Sequence, residues 1–347
     1  MTAGVVVLRA GSLSTRLRIR PMVVSGLLLA CAAGLFLVAI CAGSTWVEPA
    51  KVIDVLGGGG TRAGRFQILE LRMPRVAIGA LAGAALGLSG ALMQSAVRNP
   101  LASPDLLGIT SGASVGAVGV YVLGWRVFGA PLSVSLPLAA LIGGLAAAAL
   151  VFVISRGGPV LGLRLILVGI GVGAALRGLI YAMLVIGGEF DVQKAQVWMT
   201  GDLSTESARI PLLLAAIALT LALGGGLSRS LSSLQLGQEA AHGIGVPVER
   251  LMLATLACSV LAASVAVCAA GPLGFVALVS PQVARLMAGG HRPPLICSAA
   301  CGALLVLAAD LVARTLFEGF VSVGVLTALV GGPVLIGLLL SGMRSRT

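Results

Sequence analysis

Apolar runs of about 20 residues follow one another from residue 22 to residue 341, and a run of that length crosses a hydrocarbon core of about 30 Å. In lipid the backbone must satisfy its own hydrogen bonds, so such runs are helices or strands of a closed barrel. Barrel strands alternate in polarity over roughly ten residues, and no such alternation runs through this chain. Hydrophobic residues make up 58% of the sequence and charged ones 10%, against roughly 25% charged in a soluble domain. The 49 glycines add a packing signal, because small residues let helix backbones approach closely in a membrane. The expected fold is an all-α polytopic membrane protein with about ten transmembrane helices.

The runs read as ten spans: about 22–43, 73–97, 106–124, 132–155, 161–186, 208–227, 251–271, 272–288, 295–317 and 320–341. They form one transmembrane domain, 22–341, between a basic N-terminus, 1–21, and a short tail, 342–347. The first run is longer than the apolar part of a signal peptide, 7–15 residues, and reads as a retained span. Gly271-Pro272-Leu273-Gly274 separates the seventh and eighth runs without any polar loop. Three connections are long enough to hold structure of their own. Trp46–Arg75 carries four consecutive glycines. Gly187–Arg209 has room for a short surface helix over Asp191–Met199. Ser228–Arg250 is amphipathic and reads as two helical pieces hinged at glycines.

Charge placement orients the bundle. The connections on the side of the two termini hold thirteen Arg against three acids, and the opposite ones hold nine Lys and Arg against nine acids. By the positive-inside bias both termini are cytoplasmic. The basic excess is therefore a topology signal and not a nucleic-acid footprint, since no basic stretch is interleaved with aromatics on a soluble surface. The six cysteines lie in or beside apolar runs without metal-ligand spacing and read as reduced packing residues.

Enzyme chemistry finds no foothold. No G-x-x-x-x-G-K-[ST] motif is present, so nucleotide binding through a P-loop is excluded. H-E-x-x-H does not occur, and the two histidines, His242 and His291, have no ligand-spaced neighbours. Secondary transporters keep ionisable groups near the midplane, whereas these spans hold little beyond Arg177 and the pair Asp310 and Arg314. The latter two are four residues apart on one helix face and neutralise each other. Energy for transport is thus expected from a separate subunit.

Leu71-Arg72-Met73-Pro74-Arg75, Arg98-Asn99-Pro100-Leu101-Ala102, Ser111-Gly112-Ala113, Trp198-Met199-Thr200-Gly201-Asp202-Leu203, Leu236-Gly237-Gln238-Glu239-Ala240-Ala241, Gly274–Gln282, Ala309–Arg314 and Gly331-Gly332-Pro333-Val334 occur in that order. In these motifs nearly the whole chain after residue 45 resembles the FecCD family, the type II permeases of iron–siderophore and vitamin B12 importers. The resemblance implies a bacterial cytoplasmic-membrane permease, with no cofactor or metal of its own. It works with a second permease subunit, identical or paralogous, and with a cytoplasmic ATPase that uses ATP. A periplasmic or lipid-anchored binding protein delivers the iron–siderophore. Where many members carry Pro-His this chain has Pro281-Gln282, which leans toward siderophores. A vitamin B12 or haem permease of the same family is the alternative, and a secondary transporter the distant one.

The resemblance also implies roles for particular residues. Asn99, Leu101, Leu161 and Gly162 match positions that close the path on the inside, and Pro100 stops the helix there. The Ser228–Arg250 stretch, with Gly237, Glu239, Ala240 and Gly245, matches the ATPase-contacting segment. Arg72, Arg75 and Arg314 match arginines that pair with glutamates of the binding protein. Charge placement puts all three at outer span ends, and the spacing of Arg72 and Arg75 around Pro74 is expected to turn both toward water.

Overall fold

The computed structural model describes residues 5–10, 13–43, 45–125, 127–155, 161–201, 203, 206–290 and 292–344. Fourteen α-helices lie among them: α1 Ile19–Cys41, α2 Pro49–Leu56, α3 Arg62–Arg65, α4 Met73–Val97, α5 Ile109–Val122, α6 Leu132–Ser155, α7 Leu161–Val185, α8 Glu189–Met199, α9 Ile210–Ser233, α10 Gln238–Gly243, α11 Val248–Ala270, α12 Val276–Ala288, α13 Leu295–Thr315 and α14 Val323–Arg344. Seven helical stretches are long and apolar enough to cross a membrane, and α5, α12 and α14 are shorter apolar helices. Together these make the ten expected spans.

We call the end of the bundle where α1 begins proximal and the end where it finishes distal. The spans alternate direction, so α1 starts and α14 finishes at the proximal end. Proline marks several helix starts. Pro49, Pro74 and Pro211 sit in the first turns of α2, α4 and α9, where a missing N–H costs nothing and the fixed φ suits the helix. A π-helical segment, Phe66–Arg72, joins α3 to α4.

One element was not anticipated. Val5–Ala10 pairs antiparallel with Leu13–Arg18, with Val5 opposite Arg18, so the basic N-terminus is a two-stranded ribbon rather than a plain tail. Its valine-rich first half suits extended backbone.

The bundle is held by close backbone approach. α4 lies at its centre and packs against α13, α11, α9 and α12. A Cβ on Gly83 would strike the Gly302 carbonyl, and one on Gly302 would strike the Gly83 carbonyl. Gly112 and Gly143 repeat the arrangement between α5 and α6. Hydroxyls lock the α4–α11 contact: Ser89 Oγ donates to the Ser259 carbonyl at 2.6 Å, and Ser259 Oγ to the Ser89 carbonyl at 2.8 Å. In hydrocarbon such interhelical bonds replace the missing hydrophobic drive.

The break between α11 and α12 falls where the sequence placed it. Gly271 takes φ 68° and Phe275 φ 63°, and the five non-helical residues between the two helices are shielded by protein rather than exposed. Irregular backbone at membrane depth is tolerated on that condition. Glycine again makes the space, since a side chain at Gly331 would overlap Phe275 Cβ.

Candidate functional site

At the distal end, one buried carboxylate gathers two arginines. Asp310 on α13 is fully buried. Arg75 Nε, from the first turn of α4, donates to Asp310 Oδ1 at 2.9 Å. Arg314 Nη2, one turn along α13, lies 2.9 Å from Oδ2 as an ion-pair contact that lacks hydrogen-bond alignment. The i,i+4 pair read from the sequence is present, and Arg75 joins it from 235 residues away. One negative charge between two positive ones leaves the cluster cationic.

The three arginines matched to binding-protein contacts divide into two groups. Arg72 is only 7% exposed. Its Nη1 donates to the carbonyls of Ile40 (3.0 Å) and Cys41 (2.8 Å), and its Nη2 to that of Thr45 (2.7 Å). Arg314 is likewise turned inward, with Nη1 on the Ala42 carbonyl at 2.9 Å and Nη2 on that of Ala39 at 3.0 Å. The last carbonyls of a helix have no intrahelical partner and carry the negative end of its dipole, so both arginines cap α1. The expectation that Arg72 sits on the aqueous surface is corrected: its position follows from the end of α1, which the local spacing around Pro74 does not specify. Arg75 is the most accessible of the three, with 26% of its side chain exposed against 13% for Arg314. Its Nη1 reaches the Leu203 carbonyl at 3.4 Å, and it borders a distal cavity of about 590 Å³ with Tyr121, Phe190, Lys194, Trp198 and Arg209. Arg209 is held by Glu206 through Nε and Nη2, at 2.9 and 2.6 Å.

At the proximal end, α4 finishes with Arg98 in a left-handed conformation, φ 53°, and Pro100 prevents the helix from resuming. Asn99 Oδ1 accepts from the Leu101 N–H at 2.9 Å and makes a tight turn. This turn is tied down by two glutamines, Gln94 of α4 and Gln282 of α12. Gln282 Nε2 donates to Gln94 Oε1 at 2.6 Å and to the Pro100 carbonyl at 2.9 Å, while Gln282 Oε1 accepts from Arg285 Nη2 at 2.8 Å. Gln94 Nε2 completes the chain on the Leu278 carbonyl at 3.1 Å. Leu101 is partly exposed beside this network. The Leu161 side chain and the surroundings of Gly162 lie outside the described residues. Nothing in the spacing of the sequence announced the glutamine network; the available signal was two lone amides inside otherwise apolar runs.

The Ser228–Arg250 stretch has the hinged form expected. A 3-10 turn, Leu234–Leu236, is followed by Gly237 at φ 113°, then α10, then Gly245 at φ 82°. Both glycines occupy backbone conformations that residues with a Cβ resist, in open space where no neighbour would clash. Ala241 pins α10 to Leu231, Leu234 and Leu251. Glu239, Ala240, His242 and Ile244 project outward, and Ile244 is 63% exposed. Among the described residues no group of three metal-ligating side chains occurs.

The ten apolar helices thus carry a buried ion cluster at one end and a glycine-hinged knob at the other. The model of the FecCD transport family matches residues 27–341, and the chain belongs to that family. The ferric enterobactin transport system permease protein FepG of Escherichia coli is 37% identical over 313 residues, covering 88% of this chain and 91% of that protein. The hemin transport system permease protein HmuU of Yersinia pestis is 36% identical over 285 residues, 79% of this chain and 85% of the relative. A solved inward-facing structure, described as a metal-chelate type ABC transporter, superposes with a TM-score of 0.77 at 25% identity. It covers 92% of this chain and 99% of its own.

Proposed function

We propose that this chain is the permease subunit of an ATP-driven importer that carries an iron–siderophore complex across the bacterial cytoplasmic membrane, with its proximal end in the cytoplasm. The observation that carries the reading is the α10 knob. A chain without a P-loop needs a surface through which another subunit drives it, and α10 offers Glu239, Ala240 and Ile244 on a mount bent at Gly237 and Gly245. In this reading an ATPase subunit grips α10, and a second permease subunit covers the largely unburied faces of α7 and α9. Asn99, Pro100 and Leu101, with Leu161 and Gly162, form the cytoplasmic constriction. A binding protein docks over the distal cavity through Arg75. Arg72 and Arg314 contribute there by fixing the end of α1 and the base of α4.

The siderophore assignment is supported by relatives named for enterobactin and achromobactin transport. Hemin or cobalamin is the second reading, favoured by relatives with those names at 36% identity.

The test is Gly245→Val. At φ 82° in open space the substitution strains the hinge without disturbing the spans. Chain abundance in the membrane should match the unaltered protein while uptake of the iron chelate falls to background. Gly243→Ala, in the helical part of the knob, should transport normally. Full uptake by Gly245→Val would remove α10 as the coupling surface.

A further inference from the structure

Three arginines converge at the proximal end. Arg98 closes α4, Arg285 lies on the last turn of α12, and Arg292 lies between α12 and α13. All three line one cavity of about 530 Å³, together with Gln235 and Gln282, and no acidic side chain is among the described residues that line it. The Nε–H groups of Arg285 and Arg292 are buried without an acceptor among the described residues. Three guanidinium charges share this cavity with no counter-charge among its described lining residues, and a bound anion would relieve their mutual repulsion. Burial also pushes the Arg292 guanidinium below its ordinary range, and a bound anion would offset that desolvation. Arg292 Nη1 already spends bonds on the Ser228 carbonyl (2.6 Å) and Ser232 Oγ (2.9 Å), which hold the guanidinium in place.

A groove of about 450 Å³ adjoins this cavity, shares Gln235, Arg292 and Pro293 with it, and runs to Pro21 at the start of α1. Arg20 stands at its edge, with Nε on the Met287 carbonyl at 3.1 Å. From there the flank of α1 presents exposed Met22, Val23 and Leu27, an apolar strip along which an acyl chain can lie.

We propose that this three-arginine cavity binds a phosphate-bearing anion, the group that planar guanidinium forks hold with paired hydrogen bonds. Basic pockets between spans on the cytoplasmic side are suited to anionic lipid headgroups, and the groove gives such a lipid a path from the membrane. Inorganic phosphate shares the chemistry but has no use for the apolar strip.

The chain is placed in nanodiscs of phosphatidylcholine with and without phosphatidylglycerol, and lipid retained after detergent extraction is weighed by native mass spectrometry. Phosphatidylglycerol should be retained over phosphatidylcholine, and R285Q/R292Q should weaken that preference roughly tenfold. R285K/R292K keeps the charges and should retain part of it, which separates loss of binding from misfolding. R62Q/R65Q, exposed at the distal end, should retain all of it. A parallel arm measures thermal protection by inorganic phosphate in detergent. Protection equal to that by phosphatidylglycerol assigns the site to free phosphate, and protection by the lipid alone assigns it to a headgroup. Equal retention of both lipids by the unaltered chain, with no protection by phosphate, overturns the proposal. So does an undiminished preference in R285Q/R292Q.

Discussion

Single side chains here do two kinds of work that look alike in the sequence. Arg72 and Arg75 are three residues apart, yet the first is buried on the carbonyls of α1 and the second borders a cavity. Substituting them should separate the roles. Arg72→Met removes bonds from a charged donor to three backbone carbonyls, each worth about 1.5–3 kcal/mol, and should lower the melting temperature and yield of the purified chain. Arg75→Gln should leave yield nearly unchanged, because glutamine can still donate to Asp310, and should weaken capture of the binding protein. Equal losses of stability in both variants would place Arg75 in the scaffold as well. Gln282 makes a second case. Gln282→Leu leaves Gln94 Oε1, the Pro100 carbonyl and Arg285 Nη2 without their partner, at about 1–3 kcal/mol for each buried group left unpaired. Melting should fall clearly, and a cysteine at position 101 should react faster with thiol reagents as the Asn99 turn loosens. An unchanged melting point would mean that the turn stands without its tether.

Among elements, the α4–α13 crossing sets how tightly the bundle closes. Gly302→Val pushes two methyl groups into the backbone of α4, and overpacking of this kind costs about 1–3 kcal/mol or more. Gly226→Ala on α9, where nothing lies within contact distance, should be neutral or slightly stabilising, since alanine favours helix by about 1 kcal/mol. Thermal melting of the two variants checks this, and similar melting points would refute the close-approach account. How far the elements were legible follows from the same physics. Spans declare themselves by length and apolarity, so nine were placed within about four residues, while α9 runs six residues beyond its expected end. The surface helix α8 and the hinges of α10 were legible because glycine and amphipathic spacing are local. The end of α1 was not, because its caps come from the π-helical segment before α4 and from α13. Arg75 reaching Asp310 and Gln282 reaching Gln94 are long-range meetings, which no local spacing encodes. The N-terminal ribbon was missed because the arginines there were weighed as orientation charges and the run of valines was not.

For the whole molecule, membership in the FecCD transport family and the ten-span bundle place this chain as a transport permease. The importer reading adds direction, cargo and energy source. Energy is the most exposed part of that reading, because the spans hold few ionisable groups that a proton or sodium gradient might use. The deciding measurement is uptake into proteoliposomes containing this chain with its ATPase, its partner permease if distinct, and its loaded binding protein. The account predicts that a ferric siderophore accumulates only when ATP is supplied on the α10 side, that gradients alone drive nothing, and that Gly245→Val abolishes uptake. Accumulation driven by a proton or sodium gradient with the ATPase omitted would contradict it.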